Sequence, residues 1–351
     1  MKIGIIPGDG IGPEVMREGL KVLDLISKIF GFHYDSQTYP FGADHYLATK
    51  ELFPESAQNE LKQMSAILFG AVGDPRVERG KLERAIILGL RFGFDLYINL
   101  RPIKLYSEHI CPLKNKTPDD IDIMVIRENT EGAYAQVGGF FRQNTSDEIS
   151  IQTMINTKKG VSRAIEYAFE ICKKRNKKKK LTVIDKSNAM PAEEIWTNTF
   201  EEIGKNYPDI QKEHLYVDAA CMLLVKNPEN FDTVVTTNLF GDIITDLGAE
   251  LVGGIGIAAS ANMHPGKVSM FEPIHGSAPN IKGKNIANPF AMILAVQMML
   301  DYLKLEKPAQ MIEQAIINII RSKTVPVLSI DSGFTTNQLG DLVCHEIKKI
   351  S

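Results

Sequence analysis

Short runs rich in Ile and Val alternate along this chain with longer amphipathic stretches, and that alternation predicts an α/β architecture, its sheets covered by helices. The segments Ile3–Ile6, Ala66–Phe69, Ile123–Ile126, Leu181–Ile184 and Thr233–Thr236 read as strands. Gly12–Ile29, Lys81–Gly89, Lys159–Cys172, Pro191–Lys205 and Ala291–Leu303 read as helices. With 351 residues there is chain enough for one large or two moderate domains. No Gly-, Pro- or Ser-rich linker divides it, so two domains would require the chain to pass between them more than once.

A net charge of −3 argues against nucleic acid or an anionic membrane as the main partner, so an acidic substrate must be captured by local positive charge. The run Lys173–Lys180 (KKRNKKKK) follows a helical stretch and lacks neighbouring aromatics, so it reads as a solvated helix end rather than a nucleic-acid patch. The four cysteines are widely spaced and read as reduced thiols of a cytosolic protein. The N-terminus enters a strand at once, without the pattern of a signal peptide. No apolar run approaches the ~18 residues of a membrane span, so a cytoplasmic location is expected.

Five groups of residues can carry chemistry. Gly8-Asp9-Gly10-Ile11-Gly12, between a strand and a helix, resembles half of a dinucleotide fingerprint. Its third glycine is misplaced and Pro13 suits a first helical turn, so a tight turn that lets a ligand approach the backbone is the better reading. Arg91, Arg101 and Arg127 form an unusual set, because a guanidinium grips a carboxylate through two parallel hydrogen bonds. As isolated residues they read equally as surface or ion-pair arginines. On a helix Arg84, Ile87, Leu88 and Arg91 share a face, which sets an apolar patch beside a positive charge.

Asp242 and Asp246, four apart at the start of a predicted helix, project the same way, and with Asp218 they can hold a hard cation such as Mg²⁺ or Mn²⁺. Charge stabilisation of a helix N-terminus is the alternative, and it suits Asp242. Lys186 directly follows an apolar strand, either as a buried stem with a solvated head or as a base beside a metal, and Tyr134 is a candidate proton donor. The stretches Glu272–Asn280 and Asn285–Asn288 are dense in Gly, Pro and Asn. They form a shaped loop suited to adenine and ribose, or simply a structural turn.

In this order the segments IPGDGIGPEV, NLRP, RENTEG, DKSN, NLFGDIITD, FEPIHGSAPN and GKNIANP are similar to the β-decarboxylating dehydrogenases, which act on 3-isopropylmalate, isocitrate, homoisocitrate, and tartrate or D-malate. The resemblance covers nearly the whole chain. It implies a two-domain fold that is not a Rossmann fold, with residues 1–98 plus 254–351 binding cofactor and 99–253 carrying substrate and dimer contacts. It implies that Arg91, Arg101 and Arg127 bind carboxylates, Lys186 acts as base, Tyr134 as acid, and Asp218, Asp242 and Asp246 as metal ligands, Asp218 being catalytic as well. Ile11, Glu272, His275, Gly276, Ser277, Ala278, Asn280 and Asn288 are placed at the cofactor. The resemblance further implies a homodimer with shared active sites, the lysine and one aspartate coming from the partner subunit.

Asn280 stands where NAD-linked members carry an Asp for the ribose, which weakens repulsion of a 2′-phosphate; NAD is favoured over NADP, with relaxed selectivity. Ile87 and Leu88, apolar where isocitrate and homoisocitrate enzymes place polar or basic side chains, are similar to the isopropylmalate members. The implied reaction is NAD-linked oxidative decarboxylation of 3-isopropylmalate to 2-oxoisocaproate, in leucine synthesis. RENTEG and GAYAQVGG also resemble tartrate and D-malate dehydrogenases, the alternative. A non-catalytic regulatory subunit is a remote second alternative, because such subunits lose a catalytic residue that this chain retains.

Overall fold

The structure, a computed structural model, describes residues 1–351. In chain order the first part comprises β1 (Lys2–Gly8), α1 (Gly12–Phe30), β2 (Asp35–Thr38), α2 (Ala43–Thr49), α3 (Glu55–Leu61), β3 (Ala66–Ala71), a π-helical turn Glu83–Leu88 and α4 (Gly89–Gly93). The middle comprises β4 (Ile98–Lys104), β5 (Asp122–Glu128), β6 (Gly132–Phe141), β7 (Ile149–Ile155), α5 (Lys158–Arg175), β8 (Lys180–Asp185), α6 (Glu194–Gly204), β9 (Gln211–Tyr216), α7 (Val217–Lys226), β10 (Thr233–Thr236) and α8 (Asn238–Leu251). The chain closes with β11 (Ala259–Met263), β12 (Met270–Pro273), α9 (Phe290–Tyr302), α10 (Glu306–Arg321) and α11 (Thr336–Ile350).

Ten strands form one sheet in the order β2-β1-β3-β12-β11-β4-β5-β10-β8-β9, and β6 and β7 pair separately as a two-stranded ribbon. Parallel blocks at either end are joined through the antiparallel strands β12, β11, β4 and β5. The sheet therefore runs unbroken through both segments that the sequence reading separates, and the larger apolar core follows it, from Ile3 to Trp196 to Ile347. A smaller core, containing Phe41, Leu61, Leu82, Ile86 and Leu90, lies under α2 to α4.

Each of the five predicted strands is present, and four of the five predicted helices. The fifth, Lys81–Gly89, is instead a wider π turn over Glu83–Leu88 continuing into α4. This moves Arg84 out to solvent while Ile87 and Leu88 remain half-buried. Such widened turns concentrate at functional sites. No helix is long and apolar enough to cross a membrane.

Candidate active site

Alternation along β4 places Asn99 and Arg101 on one face of the sheet, and the antiparallel register sets Asn99 opposite Arg127 of β5. Helix α8 lies across that face. Arg127 Nη1 donates to Asp242 Oδ1 at 2.6 Å, and its Nε and Nη2 both donate to Asn238 Oδ1. Arg101 donates to Asn99 Oδ1 and Thr245 Oγ1 and lies 3.2 Å from Asp242 and 3.6 Å from Asp246. The Tyr134 hydroxyl donates to Asp242 Oδ2 at 2.9 Å. Arg91 Nη2 donates to Glu272 Oε1 at 3.2 Å, while its Nε is buried without a partner.

The electrostatics follow from crowding cations in a dry place. Burial, and then the charges of Arg101 and Arg91, disfavour the charged form of Arg127; burial does the same to Arg101. Burial opposes ionisation of Asp242, but Arg127 and Arg101 outweigh it and hold its pKa below the ordinary carboxylate range. Asp246 is pushed up, by burial more than Arg101 pulls it down. Burial and the neighbouring Asp242 raise Tyr134. A site so charged is suited to an anion that engages the guanidiniums and a cation that engages the carboxylates.

Asp242 is the fifth residue of α8 and Asp246 the ninth, so neither sits in the first turn. The helix-terminus alternative is thereby removed, and both carboxylates point instead along the helix flank toward Arg101. Lys186 and Asp218 form a second group: Lys186 Nζ donates to Asp218 Oδ1 and lies 5.9 Å from the Tyr216 ring centroid. Lys186 holds the carboxyl of Asp218 below its ordinary range. Within one chain no three His, Cys, Asp or Glu side chains come together to hold a metal, and Asp218 does not join Asp242 and Asp246.

The turn at Gly8–Gly12 does not open to a ligand at Gly10. Gly10 has φ +60°, and a Cβ there would lie 1.8 Å from the Ser277 carbonyl oxygen, so the turn presses on the Glu272–Asn280 loop. Ile11 is buried, and its N–H donates to that same carbonyl. Ala278 takes φ +41° and Ser277 is buried, whereas Gly276 and Asn280 are exposed. His275 Nδ1 is paired with the Gly276 carbonyl, but its Nε2 is buried and unpaired, as is Asn285 Oδ1. Both side-chain polar atoms of Asn288 are engaged within the fold, with the Leu328 carbonyl and the Phe290 N–H. Glu272, expected at the cofactor, is also the partner of Arg91.

Sequence reasoning missed the polar ladder behind the arginines. Asn99 and Asn129 both donate to Asn262 Oδ1, and Asn262 donates to Glu272. Its signal was polar residues at alternate positions of otherwise apolar strands, as in INLRPI and ASANM. Also missed was Glu14, whose carboxylate accepts the N–H groups of Gly283 and Asn285 and shapes the loop.

The isocitrate/isopropylmalate dehydrogenase family matches residues 2–343, so the chain belongs to that family and is a decarboxylating dehydrogenase. Among its relatives are the 3-isopropylmalate dehydrogenases of Thermobifida fusca, 47% identical over 99% of this chain and 98% of that one, and of Mycobacterium leprae, 42% identical over 98% and 99%. An isocitrate dehydrogenase from Methylococcus capsulatus superposes with a TM-score of 0.89 at 33% identity, covering 99% of both chains.

Proposed function

We propose that the protein oxidises and decarboxylates 3-isopropylmalate, using NAD and a divalent ion, Mg²⁺ or Mn²⁺, as a homodimer with shared active sites in the cytoplasm. The observation that carries this reading is the convergence of Arg91, Arg101 and Arg127 beside the half-buried Ile87 and Leu88, with Arg91 Nε buried and unpaired. Arginines match a substrate with two carboxylates, and the apolar pair matches an isopropyl branch. The relatives at 42–47% identity bear the same substrate in their names.

The residues fit both the divalent ion and NAD. Asp242 and Asp246 offer hard oxygens for a small divalent cation. The unpaired His275 Nε2 and Asn285 Oδ1 suit the edge of an adenine. A bound divalent ion would supply Lewis-acid stabilisation of developing negative charge, and NAD would supply the hydride acceptor. The arginines orient the two carboxylates. Lys186 takes the hydroxyl proton, and Tyr134 protonates the carbon that loses carbon dioxide. Lys186 and Asp218 stand apart from Asp242 and Asp246 in one chain, and a second chain supplies the missing half. Exposed apolar residues on α7 and α8 (Met222, Val225 and Ile243) and on the β6–β7 ribbon (Phe140 and Phe141) offer the surface for it. The segments 1–98 plus 254–351 and 99–253 act as lobes that close over substrate, excluding water and strengthening each charge contact. Identical scattering profiles with and without substrate, NAD and Mg²⁺ would refute the closure.

Initial rates with Mg²⁺ or Mn²⁺ test the function, comparing 3-isopropylmalate, D-malate, tartrate, isocitrate and homoisocitrate with NAD and with NADP. The reading requires 3-isopropylmalate to lead in kcat/KM by more than about tenfold, and a lead for D-malate or tartrate sinks it. Lys186→Ala should remove turnover while sparing NAD affinity, and retained oxidation in that variant would end its assignment as base.

A further inference from the structure

On the face of the sheet opposite the arginines, α5 and α9 stand apart over the central strands and leave a cavity of about 820 Å³. That is the size of a small-molecule site. Its floor is formed by Ala259, Ala261 and Met263 of β11 beside Leu100 of β4 and Met124 of β5, and the two alanines keep its centre low. Met298 of α9 and Tyr167 of α5 stand at its sides.

The lining is also basic, with six cations (Lys104, Lys174, Arg175, Lys177, Lys267, Lys304) against three carboxylates (Asp122, Asp301, Glu313), in a protein whose net charge is −3. Lys104 is neutralised by Glu313, and Arg175 and Lys177 by Asp122. Lys174, Lys267 and Lys304 have no carboxylate partner. Part of the lysine run read above as a solvated helix end therefore lines the cavity.

Against one unpaired carboxylate, Asp301, the three exposed and unpaired lysines leave the rim net positive, and a positive rim over an apolar floor selects an amphipathic anion, because the hydrocarbon leaves water while its charge meets the ammonium groups. We infer that this cavity binds a small organic carboxylate with an apolar body, its hydrocarbon over Ala261, Met124 and Met298 and its head toward the unpaired lysines. The inference does not depend on which substituted malate the enzyme turns over. An occupant would nonetheless touch the strand that carries Arg101, since Leu100 enters the cavity and Arg101 the opposite face.

Calorimetric titration of the full-length protein with hexanoate, hexylamine and hexanol tests it. Hexanoate should bind at least about tenfold more tightly than hexylamine. A triple variant, Lys174→Gln with Lys267→Gln and Lys304→Gln, should weaken hexanoate about tenfold or more, leave hexanol unchanged and melt at the wild-type temperature. Met298→Trp, which fills the cavity, should weaken hexanoate and hexanol alike. Equal binding of acid and amine, undiminished hexanoate binding in the triple variant, or weakening by Arg91→Gln in place of the lysine variant would each overturn the assignment.

Discussion

Gly241 of α8 lies directly against the side chain of Arg127: a Cβ at that position would come within 2.5 Å of Arg127 Cγ. Two turns on, a Cβ at Gly248 would meet Ile103 Cδ1 at 2.2 Å, so the pair lets α8 press close to β4 and β5. Gly241→Ala should therefore push Arg127 off Asn238 and Asp242. We expect a stability loss of about 1–3 kcal/mol from overpacking and a fall in kcat/KM of at least about tenfold. Wild-type kinetics in this variant would show that the helix has room to give.

Tyr134 shares Asp242 with Arg127, and removing its hydroxyl leaves the arginine contact in place. Tyr134→Phe should lower kcat by about 10²-fold or more with little change in KM, as expected for a proton donor. A change confined to KM would assign the tyrosine to substrate binding instead.

Leu88 packs against neither buried core, unlike Ile87, which leans on the smaller one. Its side chain is free to meet substrate. Leu88→Ala should cost 3-isopropylmalate about tenfold or more in kcat/KM, at roughly 1–3 kcal/mol per lost apolar group, and leave D-malate unaffected. Equal losses for the two substrates would place the isopropyl branch elsewhere.

Shared sites make a sharp prediction about mixtures. Lys186→Ala and Asp242→Asn homodimers should each be inactive. Heterodimers of the two unite an intact Lys186 with an intact Asp242 at one site, and should regain about half of wild-type activity per dimer. Absence of recovery in isolated heterodimers would mean that each site is built within one chain.

Glu193, fully buried, accepts the Lys186 N–H at 2.6 Å. Burial, helped by Asp185, raises it from 4.5 to about 7. Because the folded state holds this proton more tightly than the unfolded chain, its contribution is complete below the ordinary carboxylate pKa and is lost as pH rises through about 7. Glu193→Gln should consequently gain Tm relative to wild type at pH 8 and not at pH 5. An equal difference at both pH values would show that Glu193 does not titrate in this range.

Five strands were legible because each is a compact Ile- and Val-rich run, whereas β4, β9, β11 and β12 were not, since polar residues interrupt them. In β4, β11 and β12 those residues, Asn99, Arg101, Asn262 and Glu272, are the ones the site uses, so function blurred the apolar pattern that announces a strand. The chemically distinctive residues stood out for a different reason. Arginines, a lysine after a strand and paired aspartates are costly to bury, and a sequence that places them beside apolar runs implies partners for them.

Local periodicity and residue type are properties of the chain alone, and they suffice for the α/β class, the family and the identity of the groups that can do chemistry. Which of those groups meet is a matter of packing. The antiparallel register of β4 and β5, the close seating of α8 on Gly241 and Gly248, and the π turn before Arg91 bring one set together and leave Lys186 with Asp218 apart. Those outcomes depend on contacts between residues distant in sequence, whose packing no local pattern encodes.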